Sequence, residues 1–350
     1  MQISSPANFD FRLLKRLKGK VHDTYGSLNC DPYETVLPDY TLPRLKINKL
    51  KDYIKYSHDS GIKFDYVMNH PYLTLNKERM SFLDKLNDIK VDIITLTSPE
   101  IISFVKRQYP IKISTSVACN IDSLDKAMIY KELGCNIVCI CHSKNYDLEF
   151  INLVKSKTGL AIKILVNNIC LSGCPYVQEH FEKVDYFEKQ IIKCLKIKLN
   201  NIDVLKRGGF IHPNDIKKYE DLGVDFLKIG GRTKPSGWIA NCVEAYAKRN
   251  YNGNCFSLAN VHVLENNFSA FIITILLLLP EYFIRIGLLC LYYLSSKKIF
   301  NVLSRENKIK PLLRLYTTKD FFYMDDKTLS INTKKKNYLL KQINEILGVD

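Results

Sequence analysis

Between Val21 and Gly253, short β-branched runs alternate with longer amphipathic segments, and this alternation limits the folds open to the chain more than any other feature. The apolar runs are "KVHDTYGS", "IKFDYVMN", "VDIITLTS", "IKISTSVA", "NIVCICHS", "AIKILVNN", "GGFIHP" and "VDFLKIGG". Between them lie segments of helical period such as "KLKDYIKYSHDSG", "PEIISFVKRQYP" and "DLEFINLVKSKTG". Several of these open on Asp, Ser or Pro and close on Gly, as helix capping favours. Eight strands, each leading to a helix, predict a TIM-like (β/α)8 barrel. An open doubly wound sheet is the alternative, because periodicity does not report closure.

In a barrel the chemistry gathers where strands end. The polar residues expected there are Tyr25, Asn69, Ser98, Ser116, His142, Asn167, Asn168 and Arg232, each of which could instead serve a turn or a helix cap. The expected boundaries are an N-terminal segment at 1–20, the barrel at 21–260 and a C-terminal extension at 261–350. A connection after the sixth of these strands, running from Cys170 to about Gly208 and much longer than an ordinary barrel loop and helix, is expected to cover or build the site.

The extension is expected to be mainly helical and contains the most apolar stretch, Phe268 to Leu294, interrupted by Pro280, Glu281 and Arg285. A buried or partner-facing hairpin, a membrane-surface element flanked by Lys297 and Lys298, and a spanning helix all remain open for it. The net charge of +15 favours an anionic small molecule or RNA as partner, although lysines spread along the whole chain also suit plain solubility. The cluster Lys334-Lys335-Lys336 is short and says little about nucleic acid. Residues 1–20 lack the apolar core and cleavage pattern of a secretory signal. A reduced cytoplasmic setting is therefore expected, with association to a membrane through 268–294 as an option. In such a setting, eleven irregularly spaced cysteines point to metal or catalysis rather than disulfides.

Two cysteine groups stand out. In "CNIVCICH", Cys139 and Cys141 share one side of a strand and Cys135 precedes it, which predicts core filling. In "VNNICLSGCPYVQEH", Cys170 and Cys174 follow an apolar strand, Pro175 restricts the turn, and His180 and Cys194 lie further on. The spacing Cys-x3-Cys-x5-His-x13-Cys lacks the paired knuckle of zinc fingers, so a thiolate metal site and simple packing both remain open. "KIGGR" forms a further constellation. Gly230 and Gly231 permit close backbone approach, and Arg232 is placed to grip a carboxylate or phosphate. Lys228 either enters the lumen, where it needs a carboxylate, or packs its stem outward.

The segments "ILVNNICLSGCPYVQEHF", "GGFIHPNDIKKYEDLGVDFLKIGGRTKP" and "WIANCVEAYAKRNYNGN", together with "VHDTYGS" and "IKFDYVMNHPYL", resemble the U32 (collagenase-like) peptidase family from about Val21 to Asn254. The resemblance implies a TIM-like barrel with a cysteine-bound 4Fe–4S cluster, and relatives that hydroxylate quinone precursors or RNA without oxygen, or are named peptidases. It places Cys170, Cys174 and Cys194 on cluster positions. The cysteine many members carry before the "KIGGR" strand is replaced by Asp215-Ile216-Lys217, which leaves Cys242, Cys30 or His180 to complete the set, or an open iron.

The resulting expectation is an iron–sulfur enzyme with His180, Arg232 and Asn69 as catalytic or positioning groups and Lys228 and Gly231 near the cofactor. Metal ligands are expected at Cys170, Cys174, Cys194 and Cys242. A zinc-dependent peptidase is the alternative. A non-catalytic, cluster-bearing subunit paired with a related barrel protein is a third.

Overall fold

The barrel begins almost at the first residue. A computed structural model describes residues 1–29, 32, 33, 35, 42–70, 72–170, 174, 209–253 and 257–260, and the backbone of two strands at 322–325 and 328–331. Strand β1 (Gln2–Pro6) leads into α1 (Phe11–Leu17), β2 (Asp23–Gly26), α2 (Ile47–Asp59), β3 (Lys63–Met68), α3 (Lys77–Asp88), β4 (Ile93–Leu96) and α4 (Pro99–Gln108). There follow β5 (Lys112–Thr115), α5 (Leu124–Glu132), β6 (Ile137–Cys139), α6 (Leu148–Thr158), β7 (Ala161–Leu165), α7 (Ile216–Asp221), β8 (Phe226–Lys228) and α8 (Ser236–Lys248). All neighbouring strands pair in parallel, and β8 returns to β1 with Ser4 opposite Lys228, so the sheet closes. The (β/α)8 expectation holds and the open sheet is excluded.

Two strand assignments change. "QISSP", inside the expected N-terminal segment, is the first strand, with Ser4 and Ser5 fully buried. "GGFIHP" is no strand; Phe210 and Ile211 are buried in an extended connection that ends in a short 3₁₀ turn at Pro213–Asp215. The expected eighth strand is thus supplied from the N-terminus, and the cysteine loop leaves the seventh strand rather than the sixth.

Helix ends follow capping chemistry. Ser98 accepts from the Ile101 amide ahead of Pro99 and opens α4. Asn76 accepts from the Arg79 amide at α3. Asp147 caps α6, and Gly159, at φ +67°, ends it. Each such cap stabilises by about 1 kcal/mol.

Inside the barrel the pleat repeats every two residues. Ile93, Ile137 and Phe226, from β4, β6 and β8, pack with Ala161 as an apolar floor. Two residues further along those strands stand Thr95, Cys139 and Lys228, a polar layer nearer the C-terminal mouth. By itself, the second unit of the chain shows an antiparallel hairpin of β9 (Phe322–Asp325) and β10 (Thr328–Ile331), within the extension expected to be mainly helical. The apolar stretch 268–294 lies outside the described residues. Among the described residues no helix is long and apolar enough to cross a membrane.

Candidate functional site at the barrel mouth

Charges occupy the lumen in two arrangements. Lys163 of β7 reaches across to Asp65 of β3, on the opposite side of the eight-strand ring, with Nζ 3.2 Å from Oδ2. Thr95 Oγ1 donates to both Asp65 oxygens at 2.8 Å. Asp23 accepts from Ser4 Oγ at 2.5 Å and lies 3.0 Å from His22 Nδ1. Asp23, Asp65 and Lys163 have no solvent exposure. Burial opposes charge on Lys163, but Asp65 and Asp23 outweigh it and raise its pKa above the ordinary lysine value. Burial likewise opposes charge on Asp23, and Lys163, His22 and Ser4 together hold its carboxyl below the usual range. These groups therefore form a closed and charged network, each ion facing a partner.

The layer above is different. Lys228, the last residue of β8, points into the lumen with Nζ 4.3 Å from the centre of the Tyr25 ring. Tyr25 donates its hydroxyl to the Ile229 carbonyl at 2.6 Å, and burial raises its pKa. Burial pushes the Cys139 thiol up as well, against the pull of Lys228 and Lys163, so it remains a protonated thiol. Cys141 sits just past β6 and contacts Asn120 Oδ1 at 2.8 Å and Ser143 Oγ at 3.1 Å. Cys135, Cys139 and Cys141 are all buried, as packing residues are.

The cysteine loop and the "KIGGR" segment are joined at their roots. The Val166 amide donates to Lys228 O at 3.0 Å. Asn167 then bonds Gly230 twice, accepting from its amide at 2.7 Å and donating Nδ2 to its carbonyl at 3.2 Å. Cys170 and Cys174, both partly exposed, follow within that loop. Arg232 donates Nη1 to Ser27 Oγ at 2.9 Å beyond β2. Gly231 adopts φ +125°, and a Cβ there would lie 2.5 Å from Trp238 Cζ3, so the turn itself requires glycine. Asn69 donates to Ser116 Oγ at 3.0 Å. Ser98 and Ser116 are accounted for as caps, since Ser116 also accepts from the Ala118 amide.

Cys242 lies on the buried face of α8, where burial drives its thiol pKa up, with Lys234 opposing in part. Cys30, His180 and Cys194 fall outside the described residues, as does most of the connection from Cys170 to Gly208. Tested against a 4Fe–4S group, Cys170 and Cys174 fit in donor type and in position at a strand mouth. Among the described residues no set of three His, Cys, Asp or Glu side chains is grouped to hold a metal ion.

Asp23, Asp65 and Lys163 escaped the sequence reading. Their signal was present: a charge set inside an otherwise apolar strand, as in "FDY" and "IKI", must find a partner once buried.

Comparison with known proteins bears on this site. Residues 41–186, which include both described cysteines of the loop, match the model of "Peptidase family U32". A protein of Methanocaldococcus jannaschii named as an uncharacterized protease is 26% identical over 281 residues, covering 73% of this chain and 84% of its own length. A solved U32 peptidase is 14% identical with a TM-score of 0.46, over 53% of this chain and 76% of that one.

Proposed function

We propose that this barrel, a member of peptidase family U32, is an enzyme whose site is the C-terminal mouth, where a cysteine-bound iron–sulfur cluster meets an anionic small-molecule or RNA substrate. One observation carries the reading: the double hydrogen bond of Asn167 to Gly230 ties the Cys170–Cys174 loop to the segment bearing Lys228 and Arg232. Cysteine sulfurs and the Arg232 guanidinium are thereby rooted at neighbouring strand ends.

Cys170 and Cys174, with Cys194 and a fourth ligand for which Cys242 is a candidate, would hold the cluster. When bound it would supply one-electron transfer or a Lewis-acidic iron, the chemistry an oxygen-independent hydroxylation or related redox modification calls for. The chain's own groups bind and orient. Arg232, anchored to Ser27 beyond β2, brings to this mouth a guanidinium, the group that suits a carboxylate or phosphate. Asn69, buried and bonded to Ser116, presents a fixed amide at the neighbouring β3 end.

The test is colour and metal in anaerobically purified full-length protein. Absorbance near about 400 nm is expected from a cluster, and it should be lost in Cys170→Ala and Cys174→Ala while the melting transition persists. Colourless wild-type protein that is nonetheless folded would refute the reading. A second reading, a metal-dependent peptidase, draws on the family description and on the name of the archaeal relative. Stoichiometric zinc without sulfide, together with metal-dependent cleavage of a denatured protein substrate, would favour it.

A further inference from the structure

Lys228 is the second buried lysine of the lumen. Lys163 is spoken for by Asp65 at 3.2 Å. The Lys228 amine, by contrast, makes no hydrogen bond or ion pair among the described residues and lies over the face of Tyr25. It ends β8 and is 7% exposed, whereas Lys163 below it is 0% exposed. The side chain thus lies at the C-terminal end of the lumen and is almost fully buried.

We propose that Lys228 is a nucleophilic amine that captures an aldehyde or ketone carbonyl as an imine at the barrel mouth. The attack needs a neutral amine. Burial is the main force that lowers the Lys228 pKa, and the charges of Lys163 and Arg232 add to it. Two groups oppose, Cys139 and Asp65. Cys139 is held as a neutral thiol by burial, and Asp65 is shared with Lys163 and Thr95, so neither supplies a dedicated counter-ion. Asp23, the other lumen carboxylate, is engaged by Ser4 and His22.

The step balances without any further reactant. The Nζ lone pair forms a bond to the carbonyl carbon as the C=O π pair moves to oxygen. That oxygen leaves as water with the two protons the amine gives up, and a C=N bond remains. This inference shares the mouth with the proposed function but does not use the cysteines, so it can fail or stand without regard to iron content.

The experiment is reductive trapping on the full chain. Protein is treated with acetaldehyde and cyanoborohydride at neutral pH, digested, and the ethylated lysines are quantified by mass spectrometry. Lys228 is expected to label faster than an exposed lysine such as Lys51, because a lowered pKa raises the fraction of neutral amine at neutral pH. Lys228→Met and Lys228→Arg should each remove that one fast site and leave the slow ones. The wild-type rate decides the matter even if a variant fails to fold. Labelling of Lys228 no faster than Lys51, or none while Lys51 reacts, would overturn the proposal.

Discussion

The lumen holds two buried lysines one layer apart, and the fold treats them in opposite ways. Lys163 has a carboxylate across the barrel, a second one nearby, and an elevated pKa. Lys228 faces an aromatic ring and has a depressed pKa. The residue type is the same and the burial is similar, so the partner decides whether a charge is structural or available. The lower network resembles a plug, with every ion satisfied. The upper layer leaves its amine uncommitted beside the root of the cysteine loop.

The largest effect is expected from breaking the lower network. Asp65→Ala strands Lys163 in the interior and should destabilise the chain by about 3–5 kcal/mol, read as a shift of the urea midpoint. An unchanged midpoint would show that the lower pair is no more structural than the upper amine. Next comes Asn167→Ala, which removes both bonds to Gly230 and leaves a buried amide and carbonyl without their partner. A loss of about 1–3 kcal/mol is expected, and under the proposed function iron should leave the loop faster. Retention of iron at the wild-type rate would separate the loop from the "KIGGR" segment.

The smallest effect should follow Lys228→Met, and its sign should be opposite. A buried cation without a carboxylate weighs against folding, so its removal should raise stability by about 1 kcal/mol or leave it unchanged at neutral pH. The pH dependence checks the cause. With the folded pKa depressed, the unfolded state binds more protons between the folded and unfolded values, so wild-type stability gains with rising pH across that window. The gain from Lys228→Met should therefore shrink as pH climbs towards about 10.4 and vanish above it. A destabilised Lys228→Met variant would place this lysine with Lys163 instead.

Much of this architecture was legible in the chain, for reasons that also explain the misses. Alternating runs pointed to the barrel because each strand from β2 to β7 is mostly buried and carries at least one β-branched residue. β1 was hidden because "QISSP" is short and serine-rich, and its serines are buried by pairing and polar contacts rather than by apolarity. "GGFIHP" misled because two buried apolar residues between glycine and proline imitate a strand. Cys170, Cys174, Lys228 and Arg232 stood out because each belongs to a compact local motif. The Asp65–Lys163 pair could not, since it joins positions 98 residues apart and only closure of the ring brings them together.

The proposed function requires the mouth, unlike the plug beneath it, to hold an inorganic centre on its cysteines. Iron, acid-labile sulfide and zinc should be measured on one anaerobic preparation of the full-length protein, with Cys170→Ala alongside. About four irons and four sulfides per chain in the wild type, lost in the variant with its melting transition intact, is the predicted result. Folded wild-type protein with neither iron nor sulfide would contradict it.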